Sequence, residues 1–295
     1  MNALRASRGD SGFNLVIYAS MAIITVFMLI PILHIVSSSF SNPEMVASGK
    51  VYLWPGELTF RSYTAVLENR FVWTGFGNTL LYTSLGTAIN LTMTTLAAYP
   101  LSRTDLRGGR WILLLLIFTM YFQGGMIPTY ILVKKLGFIN TIWAMVLPGA
   151  ISTFNLIVMR TYFVQSIPKE LQEAAFIDGS GNTLFLLRIV LPLSKPILAV
   201  IALYYAVYHW NDFFQALIYL SDKNRYPLQM VLRELLIQLK IDDFTTLDSG
   251  FTERMFEAEG IKYAMIVISS LPMMILYPFI QKSFVKGALI GSIKG

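Results

Sequence analysis

Tyr204, Tyr208, Asn211, Asp212 and Gln215 fall inside one apolar stretch, Pro196 to Ser221, in which Asp212 is the sole charged residue. At helical spacing these five, joined by Tyr219, share one face within an arc of about 100°. Their amides, carboxylate and phenols can exchange hydrogen bonds with hydroxyl groups, and the phenol rings can stack on the apolar faces of sugar rings. The stripe is therefore read either as one wall of a path for a polyhydroxylated solute or as hydrogen-bonding glue between helices. Other chemistries fall away quickly. The chain has no cysteine and two histidines, His34 and His209, so thiolate nucleophiles and histidine-rich metal sites are excluded. His209 lies off the polar arc and is read as a packing residue. No paired acids or nucleophile and base converge in the apolar runs, which argues against an enzyme. No GxxxxGK[ST] loop is present, so any ATP coupling has to come from a partner.

The elements that must position these residues are set by composition. Of 295 residues, 55% are hydrophobic and 14% charged, against roughly a quarter charged in ordinary soluble domains. The net charge of +6 could invite nucleic acid, but the basic residues are scattered between long apolar runs, which points to a lipid membrane. Uncharged runs extend over Phe13 to Pro43, Phe71 to Ser102, Trp111 to Val133, Leu136 to Met159 and Tyr263 to Gln281. With Pro196 to Ser221 they predict six crossings of roughly 17–25 residues each and an all-α polytopic fold. The first run is read as a retained helix, not a cleaved signal. Lys and Arg divide 12 to 11 between the two sides, so orientation rests on weak signals, and both termini are placed in the cytoplasm. Thr79, Thr83, Thr87, Asn90 and Thr94, with Gly86 and Ala97, mark one face of the second crossing, read as close packing with pore lining as the alternative. Trp54, Trp73, Trp111 and Trp143 read as interfacial anchors.

Three polar segments connect the runs. Ser41 to Arg70 and Asp222 to Gly260 are expected as external loops, the second carrying a short helix from Tyr226 to Leu236 lying flat at the outer interface. Gly124-Gly125 and Pro128 are expected to end the third crossing near Met126, with Thr129 to Lys135 as an interfacial turn. The internal segment, Tyr162 to Lys195, is the most informative. It contains Ser166-Ile167-Pro168-Lys169-Glu170-Leu171-Gln172-Glu173-Ala174-Ala175-Phe176-Ile177-Asp178-Gly179. Ser166 is expected to cap a helix of about three turns with Pro168 in its first turn, and Gly179 to end it in the left-handed conformation. Ala174 and Ala175 keep its surface low, so a groove of another protein can approach the backbone.

Glu173-Ala174-Ala175, Asp178-Gly179 and Ile189-Val190-Leu191-Pro192 together resemble the EAA loop of membrane subunits of ATP-binding-cassette importers. Trp210-Asn211-Asp212-Phe213 and the ending Gln281-Lys282-Ser283-Phe284-Val285-Lys286-Gly287 are similar to the carbohydrate-type permeases, including the smaller maltose-importer permease. Gly125-Met126-Ile127-Pro128-Thr129-Tyr130 and Ile139-Asn140-Thr141 look closest to permeases for oligosaccharides of acidic polysaccharides such as pectin or alginate. The resemblance implies a type I importer permease. Residues 1–70 would form an amino-terminal tail, the first helix and an external loop, and residues 71–285 a five-helix core with the coupling loop 164–195 and the external loop 222–260. Residues 286–295 would form a cytoplasmic tail. It implies that Glu173, Ala174, Ala175, Asp178 and Gly179 contact an ATPase subunit. It also implies a second related permease, two ATPase subunits carrying ATP and Mg, an external solute-binding protein and residence in the bacterial inner membrane. No cofactor is expected in this chain. A permease for another solute, such as glycerol phosphate, shares these features. A secondary transporter would usually show internal repeats, and none is visible.

Overall fold

The computed structural model describes the backbone of residues 8–245 and 256–275, and side chains within residues 12–238 and 256–275. The expected carboxyl-terminal signature from Gln281 and the tail at 286–295 lie outside the described residues. Helices in chain order are α1 (Arg8–Ser39), α2 (Pro43–Ala47), α3 (Arg61–Glu68), α4 (Arg70–Ser102), α5 (Gly109–Tyr121), α6 (Met126–Lys135), α7 (Trp143–Val146) and α8 (Thr153–Ser166). They continue with α9 (Lys169–Ile177), α10 (Asn182–Phe185), a π turn (Leu186–Val190), α11 (Leu191–Leu193), α12 (Lys195–Trp210), α13 (Phe214–Tyr219) and α14 (Leu228–Thr245), and then α15 (Phe256–Ile275). No strand is present among the described residues, so the all-α expectation holds.

The chain divides into two compact units, with breaks beside Asn69, inside α14 and inside α15 after Ser270. In the first unit, α1 exposes apolar side chains around its circumference, from Phe13 to Leu33. A helix apolar all round has lipid as its natural solvent. Its last turn is different, because Ser37, Ser38, Ser39 and Ser41 are buried. Ser37 Oγ donates to Leu53 O at 2.6 Å, which folds the following loop back onto the helix end. In the same unit α15 approaches α2 and α3 at Gly260, where an added Cβ would press on Pro43 and Ser62, and Arg61 pairs with Glu257.

The second unit is built around α4, 33 residues long and about 50 Å at 1.5 Å per residue. Lipid tails are as apolar as leucine, so close backbone approach and interhelical hydrogen bonds must hold such helices together. The threonine face does this. Gly86 lies against the His209 ring of α12 with no room for a Cβ. Thr94 Oγ1 and Tyr205 Oη share a hydrogen bond of 2.7 Å, and the same phenol accepts Ser152 N–H at 2.9 Å, joining α4, α12 and the start of α8. Thr79 Oγ1 accepts Leu228 N–H at 2.8 Å. Beside these contacts a core of Leu156, Met159, Phe163, Phe185 and Ile201 fills the space between α4, α8, α10 and α12.

Several apolar runs are not single straight helices. By length and composition, α1 and α15 qualify as spans among the described residues, and up to four spans result if each of two bent pairs counts as one. One bent pair is α5 with α6, turned by 112°. The turn falls at Gly124-Gly125, where Gly125 has φ +85°, a conformation only glycine adopts without strain. Consequently α5 ends at Tyr121, and Thr129 to Lys135 is helix where an interfacial turn was expected. The run from Leu136 to Met159 is likewise broken. It passes through Gly137 and Asn140, both with positive φ, the short α7 and Pro148-Gly149 before α8 begins. The second bent pair turns by 83° between residues 182–193 and α12. Pro192 and Pro196 lack the N–H groups that would continue the ladder, and a π turn precedes the bend.

The helix at Pro227 also differs from expectation. It extends over Leu228–Thr245, and Leu228, Met230, Val231 and Leu232 are at most 5% exposed. The segment before it is tied down by Asn78 Nδ2, which donates to Tyr226 O, and by Tyr82 Oη, which donates to Arg225 O at 2.8 Å. Packing against α4 takes up the apolar side of its first turns.

Candidate functional site

An open cleft of about 760 Å³ lies where the broken helices meet. One wall comes from the end of α5 and the start of α6, through Thr119, Phe122, Gln123, Gly124-Gly125 and Thr129. Pro148-Gly149 contributes a second wall, and Tyr208, Phe214, Gln215 and Tyr219 a third. The breaks produce the cleft. A continuous helix through Gly125 or through Asn211 would carry its side chains past the opening instead of around it.

Of the five, Tyr208 and Gln215 line the cleft, and Gln215 Nε2 donates to Tyr208 Oη at 2.5 Å. The remaining three are placed elsewhere. Tyr204 is 39% exposed and outside the lining. Asn211 closes α12, with Nδ2 donating to Val207 O at 2.9 Å in its own last turn. Asp212 sits in the break between α12 and α13, where Oδ1 accepts Gln215 N–H at 3.1 Å. A carboxylate there satisfies a first-turn donor and faces the positive end of α13. The single-helix arc assumed for these residues thus ends at Trp210. Tyr219 still reaches the cleft, held by Asn140 N–H donating to its carbonyl at 2.8 Å and by a parallel ring contact with Tyr130 at 6.2 Å. Asn140 has φ +58°, and its Oδ1 accepts from Ser221 N and Asp222 N. His209 is 3% exposed and packs on Gly86, away from the lining.

Sequence reasoning missed Thr119, Gln123 and Thr129. The available signal was Gln123, an amide ahead of the Gly124-Gly125 break. Among the described residues the lining carries no charged side chain. It presents amides, hydroxyls and aromatic faces, a set that can replace water around uncharged hydroxyl groups.

A second surface forms at α9. Gly179 has φ +82°, its N–H donates to Phe176 O at 3.1 Å, and Ser180 N–H donates to Ala175 O at 2.9 Å. This pair of bonds is the Schellman termination expected of a glycine at this position. The start differs from expectation. Ser166 ends α8, and the residue before the first turn of α9 is Pro168, which offers no capping oxygen. Proline in extended conformation breaks the two helices apart and leaves Ser166 on the wrong side of the break. Glu170, Glu173, Ala174 and Ile177 are exposed at helical spacing, Ile177 by 86%. Asp178 and Gly179 are exposed as well, but Ala175 is buried inward at 8%. Only Ala174 therefore keeps the outward surface low.

Behind α9 stands Arg103, just past the end of α4, with a side chain 8% exposed. Its Nε and Nη2 donate to the two carboxylate oxygens of Asp105 at 2.8 and 2.6 Å, and Nη1 donates to Tyr99 Oη and Asn182 Oδ1. Its guanidinium lies 5.1 Å from the centre of the Phe176 ring on α9. This bidentate pairing holds the Asp105 carboxyl below the usual carboxylate range.

Residues 109–289 match the family described as "Binding-protein-dependent transport system inner membrane component". The protein LplC of Bacillus subtilis (strain 168) is 42% identical over 100% of this chain and 98% of its own length. A polygalacturonan/rhamnogalacturonan transport system permease protein, YtcP, from the same organism is 39% identical over 96% of this chain and 98% of its own. Among solved structures, a chain of a bacterial ABC transporter involved in the import of the acidic polysaccharide alginate superposes with a TM-score of 0.83 at 33% identity, covering 95% of this chain and 99% of that one.

Proposed function

This chain belongs to the family of inner membrane components of binding-protein-dependent transport systems, and we propose that as a permease of this kind it moves oligosaccharides, including uronate-containing ones, by alternating access. The observation that carries the cargo class is the cleft, whose lining offers hydrogen-bonding groups and aromatic faces without charge. A glycerol phosphate cargo needs cations and, among the described residues, none lines this cleft, so its phosphate, like the carboxylates of an acidic sugar, has to be met by the second permease. For an acidic sugar, Tyr208, Gln215, Gln123 and Thr129 meet hydroxyls and ring faces, and the carboxylates are met by the second permease. The likeness to a permease named for polygalacturonan/rhamnogalacturonan transport and to a chain of a transporter involved in alginate import supports the acidic class.

In this reading six segments cross the membrane, with both termini in the cytoplasm. The bent pair α5 with α6 is a crossing interrupted at membrane depth, where irregular backbone lines a cavity, and the bend between 182–193 and α12 leads from the internal loop into its crossing. One of two ATPase subunits docks on the exposed face of α9 through Glu173, Ala174 and the turn at Asp178-Gly179, while Ala175 seats the helix on its own core. ATP and Mg belong to those subunits. A second related permease completes the pore, and an external binding protein delivers the sugar. A secondary transporter would work without ATP, and this is the test that separates the classes.

The experiment is uptake by vesicles containing the assembled importer, with binding protein outside and ATP inside. Transport of a uronate oligosaccharide that requires ATP is expected. Gly179→Val strains the left-handed cap and Glu173→Lys reverses a charge on the docking face. Both should assemble while losing most of the ATP hydrolysis stimulated by loaded binding protein. Wild-type stimulation in both variants would reject the docking assignment.

A further inference from the structure

We infer that Arg103 is the positioning residue through which α9 acts on α4 and, through α4, on the cleft. The inference rests on the reading of α9 as the ATPase-docking helix and adds the route inward from it. Four observations meet at this side chain. Its guanidinium is nearly enclosed although it stands at the end of a long apolar helix. One face of the group lies over Phe176 of α9, and Phe176 in turn meets Phe185 edge-on at 6.0 Å. One edge is held by both oxygens of Asp105, in the segment that leaves α4. The remaining Nη1 bridges Tyr99, in the last turns of α4, to Asn182, at the start of α10. A planar group with five donors can hold these directions at once, and an ammonium cannot.

The other end of the route is also in place. Twelve residues before Ser102, about 18 Å along the helix, the buried Asn90 donates from Nδ2 to Gly149 O at 3.1 Å. Gly149 is part of the cleft wall, within 3.4 Å of Tyr208 Oη measured from a Cβ placed on it. A displacement of α9 that is fixed to α4 by Arg103 thus reaches the cleft through a rigid helix and one hydrogen bond. Without the guanidinium, α9 keeps its ring contact with Phe185 and loses its charged anchorage to the α4 end.

The test uses the complete importer, reconstituted with its ATPases, second permease and binding protein, and reads oligosaccharide molecules imported per ATP hydrolysed. Arg103→Gln should lower this ratio by about fivefold or more, the size of a typical coupling between sites, with basal hydrolysis retained. Arg103→Lys should fail to restore it, because a single ammonium cannot replace the fork and the stacked face. Asn182→Ala and Phe176→Leu each remove one arm, at half-buried or exposed positions, and should give smaller losses. They keep the inference testable if Arg103→Gln assembles poorly. A purely structural Arg103 would lower recovery and melting temperature while leaving imported sugar per ATP unchanged in whatever complex is recovered, and that result overturns the inference. Gly179→Val is measured alongside. Loss of the ratio in Gly179→Val with a wild-type ratio in Arg103→Gln and in both single-arm variants would remove the role of Arg103 and leave the docking role of α9 standing. Wild-type ratios throughout would remove both.

Discussion

Tyr208 and Gln215 are the side chains on which the cleft's chemistry converges, because each is bound to the other and both face the opening. Tyr208→Ala removes a ring face and a hydroxyl, and Gln215→Leu removes an amide whose Oε1 is enclosed without a protein partner. Uptake per assembled complex should fall about tenfold in each, the effect of losing roughly 1.4 kcal/mol of binding in transit. Asn211→Leu serves as the contrast. Its amide is spent on the carbonyl of Val207 in its own helix, so uptake per complex should stay within about twofold of wild type. A tenfold loss in Asn211→Leu with full activity in Tyr208→Ala would reverse this placement of the path. Because the binding protein captures the sugar, its affinity for the oligosaccharide should be unchanged in all three.

Helix α4 owes its position to one missing side chain as much as to those it has. At Gly86 a methyl group would meet the ring of His209, which is itself buried. Gly86→Ala should therefore destabilise the complex by about 1–3 kcal/mol, as overpacking does, seen as a lower melting temperature in detergent. The double variant with His209→Ala should recover part of the loss, since the two residues share one contact. The opposite end of α4 gives a pH dependence. Arg103 holds the Asp105 carboxyl below its ordinary value, so the pairing stabilises the folded state above the unfolded carboxylate pKa of about 3.9 and is lost as pH falls through the lower folded value. Asp105→Asn should melt earlier than wild type at pH 7, and the gap should close as the pH is taken below about 4. A constant gap across that range would mean that the ion pair is not its source.

For the whole molecule the testable statement is which segments share a side. The absence of native cysteine allows single cysteines to be read without background. In a transport-competent chain, a cysteine at Ser48, which is exposed in the first unit, should react with an impermeant maleimide from outside intact cells. One at Ser180, beside the α9 turn, should react only after the membrane is opened. Outside labelling at Ser180 would invert the topology and remove α9 from any cytoplasmic ATPase.

Composition and run lengths were enough to specify a helical membrane chain, because the period and extent of apolar residues depend only on local sequence. The α9 turn was equally legible, since a left-handed glycine after Asp178 is a local requirement, and the small-residue face of α4 followed from its spacing. What stayed hidden were the breaks. The position of Asn211 and Asp212 depends on α12 stopping at Trp210, and the burial of α14 depends on Thr79, Asn78 and Tyr82 of a helix about 150 residues earlier. Gln123 and Thr129 line the cleft because α5 and α6 fold back by 112° at a glycine pair, which spacing along one helix cannot reveal. Likewise, Arg103 reads as an ordinary basic residue at a helix end until folding brings Phe176 and Asn182 around it. The sequence by itself determined the membrane, the helices and the left-handed turn after α9, because each is set by neighbours within a few residues. The tertiary structure decided which polar groups face the cleft, because hydrogen bonds and close contacts between distant segments choose where each helix bends.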